Sequence, residues 1–161
     1  MSYRIVLEGQ TLRFASAHFT TFGAECEPLH GHNYALTVDL AGDLTPDSWV
    51  MDFSEAKAML RALCKELDHK FILPLQNPAL AITQSCGEFE VRFGSRRYVI
   101  PDADVAALPI INSTAELLAE WLAGRVETEL AKRAVANVMS IRVGVEEMPG
   151  QSGWAERSIG R

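Results

Sequence analysis

An α+β fold, with an antiparallel sheet and helices on one face of it, is predicted by three features of this 161-residue sequence. Apolar and polar residues alternate in two segments near the N-terminus and in two near the C-terminus. Two stretches with three- and four-residue apolar spacing lie between them. Strands and helices therefore come in blocks and do not alternate one by one, which argues against a parallel βαβ sheet.

Residues 3–19 read as the first strand, with Ile5, Leu7, Leu12, Phe14 and Ser16 on alternating faces. Residues 20–29 contain Gly23, Pro28 and several acids and read as a loop. Alternation resumes over 32–41 through Tyr34, Leu36, Val38 and Leu40, and 42–48 turns at Pro46 and Asp47. Ala56, Met59, Leu60, Leu63 and Leu67 form one apolar face, predicting a helix over 54–68. Asp52 or Ser54 is its candidate cap, and Pro74 lies beyond its end. A second helix is predicted over 114–133 from Leu117, Leu118, Trp121, Leu122, Val126 and Leu130. Ser113 or Thr114 caps it, and Glu116 lies in the first turn, where the helix dipole favours an acid. Residues 138–147 and 153–157 read as the last strands. Between the helices, Phe89, Val91 and Phe93, then Gly94-Ser95, then Tyr98 and Ile100 predict a hairpin inside a long 76–111 connection.

The length suits a single domain over 1–161, with 76–111 as an insertion. Hydrophobic residues at 48% and charged residues at 22% are ordinary for a globular chain. A net charge of -6 argues against nucleic acid or a membrane surface as partner. No apolar run approaches the roughly 20 residues of a membrane span, and the N-terminus lacks the pattern of a signal peptide. A cytoplasmic protein is expected. Three widely spaced cysteines do not suit a disulfide framework.

His30-Gly31-His32 carries the strongest chemical signal. Residues two apart in an extended chain project to one face, so both imidazoles can reach one metal ion. His18 ends the preceding strand and supplies a third nitrogen if the two strands pair. Three neutral nitrogens leave zinc its double charge and a coordination position for chemistry. Cys26 lies four residues before His30: beside a dication it is a base or nucleophile, and otherwise a small packed residue. Glu25 and Glu27 flank it, as general base or as solvated acids. Asp68 precedes His69 at the first helix's end, where it tunes the imidazole or the ring merely complements the dipole. Glu147, at a strand end, is able to accept two hydrogen bonds from a guanidine-like edge.

These pieces together resemble the 6-pyruvoyl-tetrahydropterin synthase / 6-carboxy-5,6,7,8-tetrahydropterin synthase family. The matching runs are Phe14-Ala15-Ser16-Ala17-His18, Cys26-Glu27-Pro28-Leu29-His30-Gly31-His32-Asn33-Tyr34, Met51-Asp52-Phe53, Leu67-Asp68-His69, Asn112-Ser113-Thr114-Ala115-Glu116, and Glu147 followed by Trp154-Ala155. The resemblance implies the tunnelling fold: two helices on a four-stranded antiparallel sheet, trimers closing sheets into a barrel, and hexamers from stacked trimers. It implies Zn2+ on His18, His30 and His32, Cys26 as base, and Asp68 and His69 as a proton relay. It also implies Glu147 as the pterin anchor, helped by Thr114 and Glu116. Active sites between subunits would let Asp68, His69 and Glu147 serve a neighbour's zinc.

The implied reaction is a zinc-dependent lyase step on 7,8-dihydroneopterin triphosphate, giving 6-carboxy-5,6,7,8-tetrahydropterin on the way to queuosine and other deazapurines. The C-x-x-x-H-G-H spacing from Cys26 resembles that branch. The E-x-x-H-G-H spacing from Glu27 resembles members that act like a dihydroneopterin aldolase and release 6-hydroxymethyl-dihydropterin. A 6-pyruvoyl-tetrahydropterin-forming enzyme and a non-catalytic zinc or pterin binder are the remaining readings.

Overall fold

The computed structural model describes residues 2–160. Its strands are β1 (Tyr3–Leu7), β2 (Arg13–His18), β3 (Thr21–Phe22), β4 (Glu25–Cys26), β5 (His30–Gly42), β6 (Lys70–Pro74), β7 (Ala81–Ser85), β8 (Glu88–Phe93), β9 (Arg96–Pro101), β10 (Val105–Leu108), β11 (Val138–Met148) and β12 (Gln151–Ser158). The helices are α1 (Phe53–Leu67) and α2 (Ala115–Lys132). The α+β class holds, but the sheet is larger than four strands. It has seven, in the order β10-β6-β2-β5-β11-β12, with β1 also on β5. It is mixed, because β6 runs parallel to both β2 and β10.

β5 organises the sheet. Its first half pairs with β2 and its second half with β1, both antiparallel, while β11 covers its other edge. The expected single strand over 3–19 is thus two strands in line, separated at Gly9, whose φ of +116° breaks the extended chain. Tyr34, Leu36, Val38 and Leu40 alternate towards the helices and are buried with Ala56, Met59, Leu60, Leu63 and Leu67 of α1. Leu118, Leu122, Val126 and Leu130 of α2 join the same core. Asp52 caps α1 by accepting the Ser54 and Glu55 N–H groups at 2.8 and 3.0 Å. Thr114, not Ser113, is the cap of α2.

Two connections carry more structure than their composition indicated. The 20–29 segment, expected as a loop, holds the small β3–β4 hairpin. The 76–111 insertion is a three-stranded meander, β7-β8-β9, where a hairpin was expected. Its first turn is Cys86-Gly87 with φ of +52° and +80°, the signs a tight two-residue hairpin turn requires. The meander builds a second core, in which Phe89 and Val91 pack with Phe19, Cys26, Phe71 and Leu73. This places the insertion directly behind the segment that leads into His30.

Candidate metal centre

Antiparallel pairing sets His18 opposite His30 and Ser16 opposite His32. The three imidazoles therefore share one face of two adjacent strands. One nitrogen from each lies within 4.8 Å of the others, and among the described residues this is the one cluster of three such groups. The ring centroids are 4.6 to 5.1 Å apart.

Hydrogen bonds orient the rings. The His18 Nδ1–H donates to the Ser113 carbonyl at 3.0 Å, which leaves the Nε2 lone pair pointing to the cluster centre. Nε2 is buried and has no hydrogen-bond partner. The nearest carboxylate oxygen, of Glu147, is 3.8 Å away, beyond hydrogen-bond reach. Likewise His30 Nδ1 is 2.8 Å from the Pro28 carbonyl, which frees its Nε2. Burial pushes His18 down to about 4, the Ser113 bond opposes this, and the two neighbouring imidazoles add to it. His18 is thus a neutral ligand at pH 7, the form that binds a metal.

An orphaned buried nitrogen facing two further imidazoles suits zinc. Nitrogens on a tetrahedral zinc stand about 3.3 Å apart, so small side-chain rotations would close the cluster onto an ion. The residues present fit the group.

The cluster opens into a cavity of about 410 Å³ lined by His18, His30, Glu27, Thr114, Glu116 and Glu147. Glu147 lies where the β11–β12 register slips between Glu146 and Met148, an irregularity of the kind that re-aims a side chain. The fully buried Tyr34 donates its hydroxyl to Glu147 Oε1 at 3.4 Å. Burial, reinforced by Glu147, holds that hydroxyl protonated well above the usual tyrosine range. The N-terminus of α2 reaches the cavity because residue 153 is glycine: a Cβ there would stand 2.4 Å from the Glu116 nitrogen.

Two positioning residues were not expected at the site, although both fall in the Asn112–Glu116 run and Ser113 was a candidate helix cap. Ser113 orients His18 through its carbonyl, and its hydroxyl donates to the Phe19 carbonyl at 2.7 Å. The Asn112 amide bonds both the N–H and the C=O of Thr21, anchoring the β3–β4 hairpin.

Cys26 and Glu27 separate. Glu27 lines the cavity, where the Thr20 N–H donates to its Oε2 at 3.1 Å. Burial works against its charge, but the Thr20 bonds and the nearby His30 and His18 bring the carboxyl below the ordinary range. The Cys26 thiol turns into the second core, where burial raises its pKa against the pull of Arg96. The thiol does not line the cavity that Glu27 lines. The two consecutive side chains leave the backbone on opposite sides.

Glu147 stands beside the histidines of its own chain, whereas the resemblance allowed it to serve a neighbour. Asp68 and His69 are placed differently. They adjoin the edge of β2 at Ala15, and His69 lines another cavity with Ala15, Ala17, His32 and Asn33. Asp68 accepts the Ala15 N–H at 2.8 Å and holds His69 Nδ1 at 3.0 Å. The Ala15 bond, followed by the His69 contact, keeps its carboxyl below the usual range despite some burial. His69 has φ of +58°, a left-handed conformation uncommon outside glycine but one that histidine adopts more readily than most side chains. Arg97 is engaged by Glu90, Lys70 by the Ala103 carbonyl, and Arg96 by two loop carbonyls.

The sequence matches the family model described as 6-pyruvoyl tetrahydropterin synthase over residues 9–158. A Methanocaldococcus jannaschii protein provisionally named 6-carboxy-5,6,7,8-tetrahydropterin synthase is 35% identical over 141 residues, covering 87% of this chain and 86% of its own. A shorter match, 39% over 57 residues, is to the dihydroneopterin monophosphate aldolase of Pyrococcus furiosus, covering 35% of this chain and 48% of that one. Among solved structures, Plasmodium vivax 6-pyruvoyltetrahydropterin synthase superposes with a TM-score of 0.92 at 31% identity, covering 99% of both chains. That form carries alanine in place of a catalytic glutamate. No helix among the described residues is long and apolar enough to cross a membrane.

Proposed function

The chain belongs to the 6-pyruvoyl tetrahydropterin synthase family, and on that premise we propose that it is a zinc-dependent lyase converting 7,8-dihydroneopterin triphosphate to 6-carboxy-5,6,7,8-tetrahydropterin. The observation that carries this reading is the convergence of three imidazole nitrogens beside a cavity whose walls hold Glu147 and Glu27. His18, His30 and His32 hold the ion, which when bound acidifies the hydroxyls of the substrate's side chain. Glu147 accepts the paired N–H edge of the pterin, and the Tyr34 hydroxyl fixes that carboxylate's orientation. Thr114 and Glu116, at the start of α2, flank the ring. Protons leave the side-chain carbons to a base in the segment before His30 and return from an acid. Asp68 and His69 do not line the cavity that holds His18, His30 and Glu147, so they fit as the relay of a site in a second copy, in a trimer or hexamer. Service in deazapurine synthesis and a cytoplasmic location complete the reading.

A second reading is favoured by one observation: Glu27 faces the cavity and Cys26 does not. A carboxylate base there suits aldolase-like release of 6-hydroxymethyl-dihydropterin. The test is incubation of zinc-loaded protein with 7,8-dihydroneopterin triphosphate and mass identification of the product. The 6-carboxy product is expected. Exclusive release of the 6-hydroxymethyl compound would replace the first reading by the second. Absence of any turnover by zinc-replete protein would sink both and leave a binding protein.

A further inference from the structure

One side chain of the meander hydrogen-bonds to the segment that leads into His30. Arg96 opens β9 after the Gly94-Ser95 turn, and its Nη1 donates to the Cys26 carbonyl at 2.7 Å and to the Glu27 carbonyl at 2.8 Å. One guanidinium nitrogen has two N–H bonds, so both are used. Successive carbonyls of an extended strand point to opposite edges. A single nitrogen that reaches both therefore holds the chain in a local bend at residues 26 and 27. That bend fixes which way each side chain leaves the backbone.

The consequence is a choice between two acids. Within the bend, Cys26 packs among Phe19, Phe71, Leu73, Phe89 and Val91, and is 7% exposed. Glu27 faces His18 and His30, held from the other side by Thr20. Rotating the two peptides would exchange the side chains. Thr20 bonds Glu27 and Thr21 pairs with Cys26, whereas Arg96 bonds the carbonyls of both residues and so couples their orientations.

We propose that Arg96 is a positioning residue that keeps Glu27 towards the histidine cluster and Cys26 away from it, and thereby sets which pterin product the site forms. The product half of this proposal rests on the second reading above, in which Glu27 is the base and the wild type releases 6-hydroxymethyl-dihydropterin, and the orientation half does not.

The test uses the full-length zinc-loaded protein and two variants, Arg96→Met and Arg96→Lys. Methionine keeps much of the aliphatic stem without donors, and lysine restores a cationic donor. Alkylation by iodoacetamide is followed at each cysteine by peptide mass spectrometry. Cys86 is exposed and reports reagent activity, and Cys64 is buried in the main core and reports global opening. In Arg96→Met, Cys26 labelling should rise about tenfold or more, the scale of losing charge-assisted hydrogen bonds, with Cys64 and Cys86 unchanged. Arg96→Lys should fall closer to wild type. The ratio of 6-carboxy to 6-hydroxymethyl product should move towards the carboxy compound in Arg96→Met at equal zinc content. Unchanged Cys26 labelling overturns the proposal, as does a parallel rise at Cys64, which would mark general loosening. Exposed Cys26 with an unchanged product ratio overturns the specificity role. Exposed Cys26 in a protein whose wild type turns over no pterin upholds the positioning role and defeats the functional reading instead.

Discussion

The three histidines differ sharply in burial, and this makes His30→Ala the cleanest test of the metal site. His18 is 1% exposed, so removing its ring would damage the core as well as the site. His30 is an exposed residue at the start of β5. Its loss should cost the metal-free protein no more than about 0.5 kcal/mol, the usual range for a surface change. Zinc at about one hundred times its dissociation constant stabilises the native state by about 2.7 kcal/mol. A chain of this length unfolds with an entropy of about 0.34 kcal/mol per kelvin, so wild type should gain about 8 °C in Tm. Losing one of three ligands should weaken binding by about a hundredfold or more, since even outer partners of ligands are worth 10- to 100-fold. At the same free zinc the variant then retains about 0.4 kcal/mol, or roughly 1 °C. Differential scanning calorimetry on chelator-stripped protein, before and after zinc buffered to fixed free concentration, measures both numbers. A full zinc-induced shift in His30→Ala would refute the three-nitrogen site.

Three further outcomes follow from the same geometry. Glu27→Gln should keep the zinc-induced Tm shift but lose about 10²- to 10⁴-fold in kcat, as steady-state kinetics would show, because it removes a base and no ligand. Retained turnover would exclude Glu27 from proton transfer. His69→Ala and His30→Ala, each inactive alone, should regain part of the activity when co-expressed and assayed as mixed oligomers, since some sites would join an intact cluster from one copy to an intact Asp68–His69 pair from another. Activity no better than that of either variant would place the relay elsewhere. Gly153→Ala forces a Cβ against the Glu116 nitrogen and the Ala115 carbonyl carbon, and should lower stability by about 1–3 kcal/mol in denaturant titration.

The parts of the fold that were legible in the sequence are those governed by local rules. Asp52 and Thr114 cap the helices as their spacing to the apolar stripe requires, and β5 shows its period from Tyr34 to Leu40. The strands that escaped notice violate those rules. Phe71, Ile72 and Leu73 are buried in succession, so β6 has no alternation, and its parallel partner β10 lies across the insertion. The Cys86-Gly87 turn was hidden because cysteine is not a turn residue by propensity. Similarly, the histidine cluster is legible because His30 and His32 are two apart and His18 ends the preceding strand. The split between Cys26 and Glu27 is not, since it depends on Arg96, 70 residues after Cys26.

That division between local and distant control also explains how the site is built. His18 and Tyr34 form its floor. Both are buried, both are fixed by strand pairing, and one is tied by Ser113 to the start of α2. The rim, with His30, Glu27 and the β3–β4 hairpin, is more exposed and is held by paired hydrogen bonds from Thr20, Asn112 and Arg96. A metal site needs at least one ligand whose position does not depend on the metal, or binding must organise the whole cluster at once. His18 supplies that fixed point, with its free nitrogen already aimed. Chemistry on a substrate also needs groups that can shift as protons move, and the rim is the part with enough solvent exposure and few enough contacts to do so. Burying the floor and bracing the rim from a separate insertion lets this sequence meet both demands on one pair of strands.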